Sequence, residues 1–435
     1  MTSLARSLGR SGAGYDETER WLVGARELAD ALEWPASLRH ELDRVELERR
    51  FYSSRYVEAE QHARAMLAAP GLEGSDRIGT LTLLASALER EGRAEESLTL
   101  HDEALGLAER LRGPDHPQVA MVLGNRADTL AMLGRPDEVR SSLNRVLAIR
   151  TAVFGPDAPP VGEAYRELGE LEFSVGNRAA SASYFERAIE LHRRAVDENG
   201  ELFALADYAR LLGTQGFQPR AIELLDRALL LAERVYGPSS PRVAQILHAR
   251  AADRMITNEL QLAVAELERA VAILSEHHGA DHKDTAVGRM TLAQVYARLD
   301  RTDEALSSFE GAYRTILAAL PEQSPRRADL AGVRGQFFHD VGETAQAELA
   351  WRQALELAEE LLPPRHPLQV KYRIWQAEEL VGLGRADDAI AVLERAGELD
   401  AALADGAQYS DAIAPVMDRA RALLARRARA GAGRG

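Results

Sequence analysis

The residues best suited to bind a metal ion are three histidines and an aspartate between residues 277 and 282. Imidazole and carboxylate groups are ligands that Zn²⁺ uses in proteins. However, the same aspartate–histidine pair recurs as Asp115 and His116 in an equivalent stretch of the chain. This recurrence indicates a structural origin, and we predict no metal site at this loop.

Other catalytic chemistry has little support in the sequence. There is no cysteine, which excludes disulfides, thiolate zinc sites and cysteine nucleophiles together. The Gly-x-Ser-x-Gly, His-Glu-x-x-His and protein-kinase patterns are absent as well. Carboxylates are abundant, but without a pocket they give no evidence of acid–base catalysis. We therefore predict a non-enzymatic protein that uses no cofactor.

Six charged residues with helical spacing stand out near the middle of the chain. They are Glu163, Arg166, Glu167, Glu170, Asp207 and Arg210. Residues three and four apart on a helix form local ion pairs, so this set is consistent with an ordinary solvated helix face. The alternative is a polar, net acidic patch that binds a basic or zwitterionic segment of a partner.

Composition and charge restrict the partners that this chain can have. Of the 435 residues, 53 are Lys or Arg and 68 are Asp or Glu, which gives a net charge of −15. An acidic surface disfavours nucleic acid and anionic membranes. No apolar run approaches the roughly 18–20 residues that span a bilayer, and the first 20 residues lack the apolar region of a secretory signal. We predict a cytoplasmic protein that binds neither nucleic acid nor membrane.

A loop motif recurs along the chain, mostly at intervals of 42 residues. It reads Gly-Pro-Asp-His-Pro at 113–117, with variants at 155–159, 237–241, 279–282 and 363–367. A fixed period of this length is typical of repeat proteins, in which each unit stacks on its neighbours to bury an apolar face.

Between these loops the chain has fixed columns of small, turn-forming and large residues. The first helix of each repeat has a small residue at one position: Ala85, Ala127, Gly169, Ala209, Ala251, Ala293, Gly335 and Ala377. Seven residues later stands a residue that tolerates a left-handed backbone: Gly92, Gly134, Gly176, Gly216, Asn258, Asp300, Gly342 and Gly384. A helix that turns tightly into the next needs such a residue. In the second helix, larger residues fill another column: His101, Leu143, Phe185, Leu225, Leu267, Phe309, Trp351 and Leu393.

The loops also carry signals for the start of a helix. Ser240-Pro241 and Ser324-Pro325 are typical of an N-cap followed by proline at the first helical position. His116-Pro117 and His366-Pro367 are similar, with a poorer capping residue.

The pattern of small residues, glycine and aromatic residues across a helix pair resembles the tetratricopeptide repeat. The 42-residue period with its Gly-Pro-Asp-His-Pro loop resembles the longer variety found in kinesin light chains and in many bacterial signalling proteins. The resemblance implies an all-α, right-handed superhelix with the first helix of each pair lining the concave face. We expect a lead helix and a degenerate helix pair in 1–69, eight repeats in 70–403, and a capping helix with a basic, flexible tail in 404–435.

In this family, ligands lie in the concave groove. The register of the repeats places the six central charged residues there, together with Asn125 and Asp128. Kinesin light chains repeat an asparagine at the position of Asn125, but this chain keeps only that one, so their peptide specificity is not implied here. Lys371 and Trp375 face the groove in a later repeat. An exposed tryptophan beside a cation is typical of a peptide anchor, and the alternative is packing against a closing helix at 408–430.

Together these features predict a protein–protein interaction scaffold or adaptor that binds a partner segment in its groove. A second possibility is a regulatory sensor module that binds a signalling peptide or a small ligand. A third is the receiver part of a bacterial multidomain signalling regulator. The identity of the partner and the oligomeric state stay open.

Overall fold

The computed structural model describes residues 15–32, 34–53, 55–403 and 408–432. The described residues form twenty helices and no strand. The helices are α1 (Tyr15–Ala31), α2 (Ala36–Tyr52), α3 (Tyr56–Ala68), α4 (Gly74–Arg90), α5 (Ala94–Arg112), α6 (Pro117–Met132), α7 (Pro136–Phe154), α8 (Pro159–Ser174), α9 (Arg178–Arg194), α10 (Glu198–Thr214), α11 (Gln218–Tyr236), α12 (Pro241–Ile256), α13 (Leu260–His278), α14 (Lys283–Arg298), α15 (Thr302–Ala319), α16 (Arg326–Asp340), α17 (Thr344–Leu361), α18 (Pro367–Gly382), α19 (Ala386–Ala401) and α20 (Ser410–Ala432).

The chain divides into a first unit, residues 1–211, and a second unit, residues 212–435. Within each unit, every helix packs chiefly against its neighbours in sequence. The pairs α4–α5, α6–α7 and α8–α9 stack in order in the first unit, and α12 to α19 form four such pairs in the second. Helix α20 packs on α18 and α19. The predicted all-α architecture of stacked helix pairs is confirmed, while the three-part division of the chain stays a prediction.

The predicted turn residues adopt the left-handed backbone at all eight positions. Their φ angles run from +57° at Asp300 to +87° at Gly216. Each of these residues ends the first helix of a pair, so that the second helix can fold back against it. This prediction is confirmed.

Close approach of the two helices in a pair depends on the small-residue column. All eight of its members are buried, as are all eight large residues opposite them. Glycine replaces alanine in front of two of the widest rings. A Cβ atom at Gly169 would lie 2.8 Å from the Phe185 ring, and one at Gly335 would lie 2.6 Å from Cε3 of Trp351.

Three of the four predicted helix starts have the expected cap. The Ser240 hydroxyl accepts a hydrogen bond from the Val243 amide at 3.4 Å. At two further starts a histidine is the cap: Nδ1 of His116 and of His366 accepts from the backbone amide two residues on, at 3.1 and 3.3 Å. Each cap satisfies one of the unpaired amides at a helix start.

The predicted cap at Ser324 is wrong. Pro325 occupies the cap position and α16 begins at Arg326, without a side-chain cap. The amide of Ser324 instead donates to the carbonyl of Pro321 at 3.0 Å. This loop lacks the Gly-Pro start found at residues 113, 155 and 237, and its helix starts one residue later than predicted.

The junction between α9 and α10 differs from the others because the period there shortens from 42 to 40 residues. Val196 has a φ of +56° and its side chain is exposed. The next residue, Asp197, accepts hydrogen bonds from the Gly200 amide at 3.0 Å and pairs with Nδ1 of the buried His192 at 2.8 Å. These contacts hold a β-branched residue in a conformation that it disfavours.

We expect Val196→Gly to raise the free energy of unfolding by about 1 kcal/mol, because removal of the strained Cβ outweighs the added flexibility of the unfolded chain. Urea unfolding followed by circular dichroism measures this change. Val175→Gly is the matched control, since Val175 is also exposed at a helix end but has a φ of −91°. The control should lose stability, and an equal loss in Val196→Gly would contradict the strain.

Candidate functional site

The histidine-rich loop near residue 280 performs structural roles. Nδ1 of His282 accepts from the Asp284 amide at 3.2 Å and caps α14. Nε2 of His277 lies 2.8 Å from the carbonyl oxygen of Ser239. The part of the chain that the structure describes contains no group of three or more His, Asp or Glu residues placed to hold a metal ion. It also contains no helix long and apolar enough to cross a membrane.

A cavity of about 600 Å³ lies in the first unit, and we call it the central cavity. Its walls come from α6, α7 and α8. The polar residues that line it are Asn125, Asp128, Arg150, Arg166, Glu167, Glu170 and Ser174. Most of these stand at the groove positions that the register of the repeats predicts. The central cavity therefore lies between α6 and α8, the first helices of two successive repeats, on the surface that both present to the predicted groove.

Arg166 organises the charged residues beside the central cavity. Its guanidinium donates to Glu163 at 2.6 Å, to Asp207 on α10 at 2.7 Å and to Glu170 at 3.4 Å. Although burial opposes the charge of Arg166, the carboxylate of Glu163 and its neighbours raise the pKa of the guanidinium. Arg210 lies 3.5 Å from Glu170. The structure thus brings five of the six predicted charged residues into one network. The sixth, Glu167, lies beside this network and contacts Arg150.

Glu167 is the least satisfied of the six charged residues. Its Oε1 atom lies 3.5 Å from Arg150, whereas the buried Oε2 atom has no hydrogen-bond partner among the described residues. Burial raises the pKa of Glu167 to about 7, against the opposing effect of Arg150. The charge of the central cavity therefore changes near neutral pH.

Asn125 and Asp128 present unpaired polar groups to the same space. Within the described residues, neither side chain forms a hydrogen bond or an ion pair. Desolvation in the groove raises the pKa of Asp128, and the nearby carboxylate of Glu89 adds to this effect. Because Asp128 has no cation bound to it, its acceptor atoms are available to a ligand.

Glu89 belongs to a buried network that sequence reasoning did not find. It accepts hydrogen bonds from Ser97 at 3.0 Å and from Thr129, and it lies 3.2 Å from Nε2 of the fully buried His101. Burial favours the neutral acid, but the hydrogen bonds from His101, Thr129 and Ser97 prevail and lower the pKa of Glu89. A fixed negative charge thus lies beneath Asp128.

Three other lining residues were also missed. Met121 stands at a groove position of α6 and could have been found from the register. Arg150 and Phe154 come from the end of α7, a second helix, and no sequence signal indicates that they reach the cavity. Met121 and Phe154 are both about half exposed, so they add apolar surface to the wall of the central cavity.

Lys371 and Trp375 lie in the second unit on α18. The Trp375 ring packs 4.8 Å from the ring of Trp351 and 5.9 Å from that of Tyr372, and it stays partly exposed. The ammonium of Lys371 lies 5.7 Å from the ring of Tyr409, directly before α20. The contact with the closing segment is therefore made by the lysine, and the tryptophan packs on an aromatic core.

Models of the tetratricopeptide repeat match residues 76–194, 204–242 and 243–316, more than half of the chain. The chain belongs to the tetratricopeptide repeat family. Proteins of this family generally mediate protein–protein interactions.

The relatives of this tetratricopeptide repeat protein include protein kinesin light chain-related 1 of Arabidopsis thaliana, 26% identical over 71% of this chain and 52% of the relative. A clustered mitochondria protein homolog of Aedes aegypti is 25% identical over 45% of this chain and 14% of the relative. The chain thus spans about half, or less, of the length of these relatives. The repeats are of the kinesin-light-chain-like type.

Solved structures share the fold of this tetratricopeptide repeat protein at low identity. The human IFIT1 dimer with m7Gppp-AAAA is 15% identical with a TM-score of 0.55, over 97% of this chain and 89% of that one. A Rap protein complexed with competence and sporulation factor is 12% identical with a TM-score of 0.51, over 83% and 97%. At these identities the likeness concerns the fold alone.

Proposed function

We propose that this protein is a non-enzymatic scaffold or adaptor that binds a basic segment of a protein partner along the groove of the first unit. The observation that supports this most directly is the pair of unpaired acceptors, Asp128 and Oε2 of Glu167, in the central cavity. Of the two, only Oε2 of Glu167 is buried, and a buried acceptor without a donor costs about 1–3 kcal/mol. Asp128 is exposed, so its carboxylate is open to a ligand. A lysine or arginine side chain in the cavity would pair with Asp128 and would place a positive charge beside Glu167.

The surroundings of these two acceptors favour a cation over an anion. The neighbouring guanidinium, Arg166, is already bonded to three carboxylates. Glu89 adds a negative charge underneath Asp128. The exposed apolar surface of Met121 and Phe154 then suits the aliphatic part of the same segment.

An extended segment also has room beyond the central cavity. A second cavity of about 390 Å³ adjoins it in the first unit, and Met121 and Asn125 line both. The unpaired amide of Asn125 therefore stands where a segment passing from one cavity to the other would run. An amide side chain can donate to and accept from a peptide backbone.

The decisive test is selection of a displayed peptide library on the full chain, followed by affinity measurement by fluorescence anisotropy. We expect the retained segments to be enriched in lysine and arginine. The double variant Asp128→Asn with Glu167→Gln should bind them at least ten-fold more weakly, because each change removes a charge-assisted hydrogen bond. Both substitutions keep the shape of the side chain.

The matched control neutralises two exposed carboxylates on second helices, Asp137→Asn with Glu186→Gln. Its affinity should equal that of the unaltered chain. Retained segments without basic residues, or equal binding by the two double variants, would contradict the proposal.

A regulatory sensor is the second candidate function. The volume of the central cavity falls within the roughly 300–1,000 Å³ of small-molecule sites. The Rap protein with competence and sporulation factor shares the fold. If no segment is retained in the selection, while a small ligand changes the scattering profile of the chain, the sensor function is favoured.

A further inference from the structure

A smaller cavity of about 180 Å³ lies in the second unit, and we call it the tryptophan cavity. Gln336 and His339 of α16, Trp351 of α17, and Trp375, Glu378 and Glu379 of α18 line it. Its volume is below the roughly 300 Å³ at which sites for drug-sized ligands begin. The tryptophan cavity can therefore take one side-chain head but not a whole small-molecule ligand.

Two indole rings make the apolar wall of this cavity. Trp351 and Trp375 lie 4.8 Å apart, and Tyr372 packs against both at 5.8 and 5.9 Å. Trp351 fits here because Gly335, without a Cβ atom, lets its ring lie against the backbone of α16. The face of an indole ring is electron-rich and attracts cations.

Two carboxylates make the opposite wall. Glu379 is buried and lies 2.6 Å from Nδ1 of His339. Glu378 accepts from Arg419 at 2.8 Å, and the side chain of Arg419 is 57% exposed. The chain thus already places the guanidinium of Arg419 against the carboxylate of Glu378, on the solvent side of this wall. Aromatic faces and carboxylates together attract a cation and repel an anion.

We propose that the tryptophan cavity binds the guanidinium of an arginine side chain in a protein partner. This inference is independent of what occupies the central cavity. A guanidinium stacks on indole, pairs with carboxylates through its planar fork, and is more weakly hydrated than an ammonium, so it enters a narrow cavity at lower cost. Nε1 of the buried Trp351 has no acceptor within the described residues.

The test is a fluorescence titration of the full chain carrying Trp21→Phe and Trp34→Phe. Trp351 and Trp375 are then the remaining two of the four tryptophans. The probes are N-acetylarginine methylamide, the lysine analogue, and the neutral citrulline analogue, which has nearly the shape of arginine. We expect a saturable change of emission with arginine, a weaker response with lysine, and none with citrulline.

In the same background, Glu379→Gln should weaken the arginine response about ten-fold, since a desolvated cation loses its charged partner. Glu356→Gln on an exposed face of α17 is the matched control and should leave the response unchanged. If circular dichroism shows that Glu379→Gln does not fold, Glu378→Gln replaces it in the test, because Glu378 is more exposed. An equal response to citrulline, a response that neither wall variant weakens, or no saturable response would overturn the proposal.

Discussion

Gly335→Ala is expected to lower the free energy of unfolding by about 2 kcal/mol. The new Cβ atom would lie 2.6 Å from Cε3 and 2.7 Å from Cε2 of Trp351, a ring that is itself buried against Tyr372 and Trp375. Overpacking of this kind costs about 1–3 kcal/mol and can exceed that range. Alanine is favoured over glycine in a helix by only about 1 kcal/mol, so the clash prevails. Urea unfolding followed by circular dichroism measures the change.

Gly397→Ala is the matched control for this substitution. Gly397 also lies inside a helix, α19, but a Cβ atom there would meet nothing within 4 Å. The control should therefore be stabilised by the helix propensity of alanine alone. Two variants with the same change of residue should thus differ in sign, and equal stabilisation of both would contradict the close packing at Gly335.

A second substitution turns this prediction into a test of the repeat itself. Four other repeats combine alanine at the small position with leucine opposite, as in Ala251 with Leu267. The double variant Gly335→Ala with Trp351→Leu recreates that combination, so its loss should be smaller than the sum of the two single losses. We expect a coupling energy of about 1–2 kcal/mol, which is the range for residues in direct contact. Strict additivity would show that the two positions do not share one packing site.

The regular part of the fold could be predicted from sequence because each repeat presents the same pattern. The small residues, the large residues and the turn residues recur at fixed intervals. In the structure the small and large residues are buried, and the turn residues adopt the left-handed backbone. The capping and turn patterns of the sequence predicted the structure less well at junctions where the repeat is irregular. The start of α16 at Arg326 and the strained Val196 both lie at junctions that depart from the common loop.

The candidate site could be predicted only in part, for a related reason. The register of the repeats predicts which residues of the first helices face the groove, and three of those residues, Asn125, Glu167 and Glu170, line the central cavity. It does not say which residues reach in from the second helices, so Arg150 was not found. It also does not show which charges are already paired. Only the side-chain positions show that Asp128 has no ion-pair partner in the described part of the chain and that Arg166 is already paired with three carboxylates.

Asp253 on α12 has a raised pKa and no compensating charge. Asp253 is 8% exposed, and a Cβ atom at Gly213 would lie only 2.6 Å from its Oδ1 atom. The neighbouring arginines, Arg250 and Arg254, bond to Glu266 at 2.9 Å, and no ion pair to Asp253 exists among the described residues. Burial alone raises the pKa of Asp253 to about 6.

This shift makes the stability of the second unit depend on pH in a known direction. The folded carboxyl group holds its proton up to about pH 6, whereas in the unfolded chain it releases it near pH 4. The contribution of Asp253 is therefore fully present below about pH 4 and is lost as the pH rises through about 6, with a total of about 2–3 kcal/mol. We expect Asp253→Asn to match the unaltered chain near pH 4 and to exceed it by about that amount at pH 8.

The measurement is the difference in unfolding free energy between variant and unaltered chain at a series of pH values, which cancels the titration of all other groups. Asp418→Asn is the matched control, because Asp418 is exposed on α20, and its difference should be flat with pH. A flat difference for Asp253→Asn would mean that water or a cation reaches the carboxylate. A difference that grows toward acid would mean that the folded state favours the ionised form. The expected rise toward alkaline pH would instead show that the unit carries a buried, uncompensated charge at neutral pH.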